Sequence, residues 1–190
     1  AASGGGETRQ EASQVRPASN VLASGLNSNF EVGNGITRNR EFMSVVQKGE
    51  GVLQAVYSKD TLVVLKSNGT VWTVGKGEFG QHGDGTSGPA ATKTVLTQVP
   101  GLSNIREIAS NSEMAILALT STGQVYGWGQ NPAGQAGKSP FGLVTTPTLI
   151  ASLSNVIRVG TAGVASFALD ANGDIWSWGS NGSGAGARGA

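Results

Sequence analysis

The chain is 190 residues long, 30 of them Gly, with 13 Lys plus Arg against 12 Asp plus Glu and a formal net charge of +1. With 13 % charged and 38 % hydrophobic positions it is neither a charge-rich disordered chain nor a membrane span, and its basic residues are too dispersed for a nucleic-acid-binding face. The lack of Cys excludes disulfides, iron–sulfur clusters and thiol catalysis, and the single histidine, His82, excludes a multi-histidine metal site.

In chain order, residues 1–20 offer a core little beyond Val15 and Pro17 and read as a flexible or docking N-terminal arm. The start at Ala1, without Met or a signal-peptide pattern, suits a processed or trimmed chain. Residues 21–190 read as one repeat region. It opens on a Gly-rich loop, Gly25-Leu26-Asn27-Ser28-Asn29-Phe30-Glu31-Val32-Gly33. Four short strands follow, near Phe42–Gln47, Val52–Ser58, Thr61–Lys66 and Thr70–Val74. Asn68-Gly69 between the last two predicts a two-residue type I′ hairpin, with positive φ at both positions. Leu62-Val63-Val64-Leu65 and, later, Ala115-Ile116-Leu117-Ala118-Leu119 are apolar on both faces, which requires cover from two neighbours, as in stacked sheets or propeller blades.

The pattern then recurs. Leu65-Lys66-Ser67-Asn68-Gly69-Thr70-Val71-Trp72-Thr73-Val74-Gly75 aligns without gaps on Leu119-Thr120-Ser121-Thr122-Gly123-Gln124-Val125-Tyr126-Gly127-Trp128-Gly129 and on Leu169-Asp170-Ala171-Asn172-Gly173-Asp174-Ile175-Trp176-Ser177-Trp178-Gly179. The spacing of Gly69, Gly123 and Gly173 sets a period of 50–54 residues, and a Gly-rich loop follows each segment, at 75–83, 129–137 and 179–186. No sustained helical periodicity follows residue 20. The sequence therefore reads as all-β, three periods of four strands.

Gly75-Lys76-Gly77-Glu78-Phe79-Gly80 spells a dinucleotide fingerprint, but no helix follows to hold a pyrophosphate. His82, beside Asp84, reads as a polar surface residue, since no nucleophile elbow accompanies it. Asp170 and Asp174 flank a turn where Asp is common, and of the two N-glycosylation acceptor patterns, Asn68-Gly69-Thr70 and Asn181-Gly182-Ser183, the first has its Asn-Gly demanded by the hairpin. The expectation is no catalytic residue, no cofactor and no metal. Trp72, Tyr126, Trp128, Trp176 and Trp178 occupy equivalent repeat positions and are expected to pack between repeats. Phe30, Phe79 and Phe141, in or just after the loops, are the candidate interface residues, together with the loop residues His82 and Asn131.

Gly123-Gln124-Val125-Tyr126-Gly127-Trp128-Gly129-Gln130-Asn131-Pro132-Ala133-Gly134-Gln135-Ala136-Gly137 resembles, at every defined position, the repeat of the regulator of chromosome condensation family. The other copies depart from it: Val74 stands for the second Trp, Gly77 for the Asn and Ala185 for the Gln. Where that family often carries a Gly-x-x-His-Ser/Thr element, this chain has Lys59-Asp60-Thr61, Ser112-Glu113-Met114 and Val164-Ala165-Ser166. The resemblance implies a β-propeller, and closed rings of the family have about twice as many repeats. About three four-stranded blades leave the propeller incomplete as a single chain, with uncovered end faces. The expected function is a non-enzymatic structural or interaction module whose partners are further copies of itself or other subunits. Low charge and loops rich in Gly, Ser, Thr and Asn point to an extracellular, cell-surface or virion setting. The resemblance offers a regulatory alternative, a nucleotide-exchange factor for a small GTPase or an enzyme inhibitor.

Overall fold

The computed structural model describes residues 21–25 and 40–47 as strand backbone and residues 51–139 and 141–180 in full. The expected arm at 1–20, the loop copies at 26–33 and 181–186, and Phe30 lie outside the described residues. Thirteen strands and no helix are found among them: β1 (Val21–Gly25), β2 (Arg40–Gln47), β3 (Val52–Ser58), β4 (Thr61–Lys66), β5 (Val71–Lys76), β6 (Thr92–Gln98), β7 (Ile105–Ser110), β8 (Ala115–Thr120), β9 (Val125–Asn131), β10 (Gly142–Leu149), β11 (Val156–Ala162), β12 (Ala165–Asp170) and β13 (Ile175–Gly179).

They pair as antiparallel meanders: a ribbon β1-β2, two four-stranded blades, β3-β4-β5-β6 and β7-β8-β9-β10, and a three-stranded blade β11-β12-β13. The repeat period and the blade are out of phase by one strand. β2, first in its period, pairs with β1 rather than β3, so the Gly-rich loops at 75–83 and 129–137 run within a blade, between its third and fourth strands. The described blades form part of a propeller and close no ring.

The doubly apolar runs became central strands, with every residue of β4 and β8 buried. One cluster joins Val63, Leu65 and Val71 of the first blade to Ile108, Ile116 and Trp128 of the second. Another joins Leu117, Leu119 and Val125 of the second to Val156 and Ala168 of the third. The core therefore lies between blades. Each fully buried aliphatic there contributes about 1.5–3 kcal/mol, and no blade keeps that contribution without its neighbour.

The hairpins differ from the expectation. Gly69, Gly123 and Gly173 have φ of 76°, 83° and 91°, but Asn68, Thr122 and Asn172 are not in the left-handed region. Gly69 N donates to Lys66 O (2.9 Å) and Lys66 N to Thr70 O (2.9 Å), a pattern repeated at residues 120–124 and 170–174. This is a three-residue loop, a type I turn closed by a left-handed glycine, so Thr122 fits without strain.

The same turns rivet the blades together. Ile105 N donates to Gly69 O (3.0 Å) and Val156 N to Gly123 O (3.1 Å). A Cβ on Gly69 would sit 3.0 Å from Asn104 Cα, and one on Gly123 3.0 Å from Asn155 Cα, so close approach as well as φ requires glycine. Gln54 adds a side-chain copy of a strand pairing: its Nε2 donates to Ile108 O (2.7 Å) and its Oε1 accepts from Ile108 N (2.8 Å).

Candidate interaction surface

The Gly-rich loops are where sequence and structure part most. His82, expected on the surface, is 1 % exposed. Its Nε2 lies 3.1 Å from Gly75 O and its Nδ1 3.0 Å from Thr73 Oγ1, so Nε2 carries the proton and Nδ1 accepts from the hydroxyl. The reason is Gly77: a Cβ there would overlap the His82 ring. Asn131 and Ala136 hold the equivalent positions in the second blade. Asn131, also fully buried, accepts at Oδ1 from Ala136 N (2.8 Å) and donates from Nδ2 to Lys138 O (2.8 Å). A small residue at one position and a large one at the other are thus exchanged between the two blades. His82 and Asn131 shape loops and present nothing to a partner. Burial first, and then nearby Lys93, lower the His82 pKa from 6.5 to about 4, so the ring is neutral at pH 7.

Each loop also clamps the following blade. Trp128 Nε1 donates to Gln81 O (2.9 Å), and Trp178 Nε1 donates to Gln135 O (3.0 Å). The recurrence of Gln at equivalent loop positions, Gln81 and Gln135, is the sequence signal for this latch. Four of the five repeat aromatics meet buried clusters: Trp128 and Tyr126 meet one and Trp178 another, each between two blades, and Trp72 meets a third made of Leu62, Val64 and Val74 from its own blade. Trp176 does not, being 45 % exposed with its Nε1 bonded to Asp170 Oδ2 (3.0 Å).

Two of the apolar surfaces among the described residues lie near the loops and the third blade. On the loop side, Phe79 and Leu143 line one open cleft of about 410 Å³ between the first and second blades. Phe141, two residues before Leu143, lines a second cleft of about 410 Å³ with Trp176 and Trp178. Leu143 and Phe141 are 48 % and 68 % exposed, so they form a ridge between two hollows. Phe79 and Phe141 are the sequence candidates that the structure brings to this surface. Leu143 was missed, since nothing in its local pattern separates it from an ordinary strand residue.

The other surface is the outer face of the third blade. Ile175 is 78 % exposed where its counterpart Val125 is fully buried, and Phe167 is 37 % exposed where Leu117 is fully buried. A Cβ on Gly173 would meet nothing within 4 Å, unlike those on Gly69 and Gly123.

Asp170 and Asp84 are engaged structurally. The Trp176 indole, then the backbone N–H groups of the turn, hold the Asp170 carboxyl below the usual carboxylate range. Burial works to raise the Asp84 carboxyl, but Lys93 (2.6 Å) and Thr86 outweigh it and hold it well below that range. Among the described residues no group of three or more His, Cys, Asp or Glu is placed to hold a metal ion.

Comparison with known proteins agrees with this architecture. The family description "Regulator of chromosome condensation (RCC1) repeat" matches residues 115–135, which run from β8 through the second Gly-rich loop. The human E3 ubiquitin-protein ligase HERC2 is 33 % identical over 105 residues, and rat Alsin is 40 % identical over 106. Each match covers 55 % of this chain but only 2 % and 6 % of those proteins. Human WBSCR16 superposes with a TM-score of 0.73 at 22 % identity, covering 84 % of this chain and 42 % of that one. Yeast RCC1 (Prp20), solved bound to Kap60, gives 0.63 at 26 %, covering 77 % and 34 %. The phased turns, loops and tryptophan latches are thus those of β-propeller blades, and the stretch from β8 into the second Gly-rich loop is a regulator of chromosome condensation repeat.

Proposed function

We propose that the chain is a non-enzymatic interaction module, with residues 21–190 as its blade region and 1–20 as an arm, that associates through propeller blades, its own copies included. The observation that supports this is the contrast between equivalent positions: Ile175 at 78 % exposure against Val125 at 0 %. The residues differ little, and among the described residues a following blade covers Val125 and none covers Ile175. An apolar face built to be covered, and left open, is an association surface. The test is size-exclusion chromatography with light scattering against the 19.2 kDa mass of the chain. A dimer or larger species that Ile175→Asp reduces to monomer is expected, and a monomer at every concentration refutes the proposal.

A second reading draws on the ridge of Leu143 and Phe141. Prp20p of Saccharomyces cerevisiae, which is similar in fold, binds Gsp1p and histones. A comparable regulator, whether an exchange factor for a small GTPase or an enzyme inhibitor, would use such a ridge. Faster nucleotide release from a GTPase, lost in Leu143→Asp, would favour it. The comparisons lend no support to an extracellular setting, and association through blades does not require one.

A further inference from the structure

The first Gly-rich loop has little of its own to hold it down. Between Lys76 and Ala91 the side chains that it buries are those of Gln81 and His82, and Phe79 is only half-buried. His82 is the larger anchor. Its ring fills the space left by Gly77 and closes two hydrogen bonds, from Nε2 to Gly75 O (3.1 Å) and from Thr73 Oγ1 to Nδ1 (3.0 Å). The loop in turn holds the second blade. Gln81 O accepts from Trp128 Nε1 (2.9 Å), and Gly85 N donates to Thr145 O (2.9 Å). Phe79, Ser87 and Gly88 form one wall of the cleft that Pro132 and Leu143 close from the other side.

The second loop is anchored by different chemistry. There Asn131 stands for Gly77 and Ala136 for His82, and the Asn131 amide bridges Ala136 N (2.8 Å) and Lys138 O (2.8 Å). A carboxamide does not titrate, whereas an imidazole does. The ionised groups that reach the His82 ring are Lys93 of β6 and Asp84 of the loop, themselves paired at 2.6 Å. β5 offers the ring only the Thr73 hydroxyl and the Gly75 carbonyl. A second proton would therefore put a charge on Nδ1 against a neutral hydroxyl, in a site closed to water. We infer that protonation of His82 opens the first Gly-rich loop as a local unit, releasing Trp128 and dismantling the cleft between the first and second blades while the second loop stays shut.

The closed ring titrates at about 4 and a freed one at 6.5. The preference for the closed loop is thus complete above pH 6.5 and is lost as pH falls towards 4. The opening equilibrium rises about thirtyfold at pH 5 and about 150-fold at pH 4 relative to neutral pH.

Hydrogen exchange of the full chain, followed by heteronuclear NMR at pH 7.5 and pH 5 and expressed as protection factors, reads that equilibrium directly. Protection of the Trp128 indole N–H and of the Gly85 and Gly88 amides is expected to fall about thirtyfold. The Trp178 indole, latched to the second loop, and the amides of β4 and β8 should hold theirs. An equal fall at Trp178 would show general loosening in acid and overturns the local device, as does unchanged protection at Trp128. The paired substitution Gly77→Asn with His82→Ala gives the first loop the anchor of the second. Protection at Trp128 should then become independent of pH, and a persisting fall overturns the assignment to His82. Should that variant not fold, the comparison of Trp128 with Trp178 in the native chain decides by itself.

Discussion

The tryptophan latch makes a graded prediction, because the same hydrogen bond occurs in two environments. Trp128 is fully buried and its indole N–H reaches Gln81 O at 2.9 Å. Trp178 makes the equivalent bond to Gln135 O at 3.0 Å but is only partly buried. Trp128→Phe removes about three ring atoms from a closed core, a loss of about 2 kcal/mol. It also strands a buried carbonyl, which costs a further 1–3 kcal/mol or so. The expected destabilisation is about 3–5 kcal/mol. At Trp178 the Gln135 carbonyl keeps its bond from Ser166 Oγ (2.8 Å) and part of the lost surface was never buried, so Trp178→Phe should cost about 1–2 kcal/mol. Urea unfolding monitored by far-UV circular dichroism gives both values as shifts in midpoint at constant slope. Equal losses at the two sites would refute the argument, because they would mean that the following blade does not decide the energy of the latch. A Trp128→Phe cost below about 1 kcal/mol would refute it from the other side.

His82 makes the fold acid-sensitive. Its pKa is about 4 folded and 6.5 as the reference, so the unfolded chain binds the proton more readily. The contribution is fully present above pH 6.5, declines as pH falls towards 4 and amounts to about 3 kcal/mol in all. Urea midpoints at pH 7.5 and pH 4.5 should diverge more for the native chain than for His82→Gln, and equal divergence would overturn the burial argument. Asn131→Ala leaves the buried Ala136 N–H and Lys138 carbonyl without their partner, so a loss of about 2–3 kcal/mol is expected in the same assay. Gly129 has φ of 95° and a Cβ there would overlap Met114 O, so Gly129→Ala should cost more than about 3 kcal/mol or abolish soluble expression. A cost near zero would show that β8 and β9 approach less closely than described.

Several features were legible in the residues themselves. The gapless alignment ending at Gly75, Gly129 and Gly179 set the period, and the doubly apolar runs at 62–65 and 115–119 became fully buried strands. Period and apolar alternation report on a strand and its immediate neighbours, so they reveal fold class and repeat type. Other features were not legible. His82 reads as a polar loop residue until Gly77 leaves the space that its ring fills. The type I′ expectation at Asn68-Gly69 failed because the loop closes over three residues, and that depends on how the strands splay. Ile175 and Val125 are nearly the same in local sequence and opposite in exposure. Local pattern thus determined that this chain makes blades and where each turns. Which side chains are left to meet a partner was decided only by the packing of blade on blade, because burial is a property of two surfaces and a sequence shows one at a time.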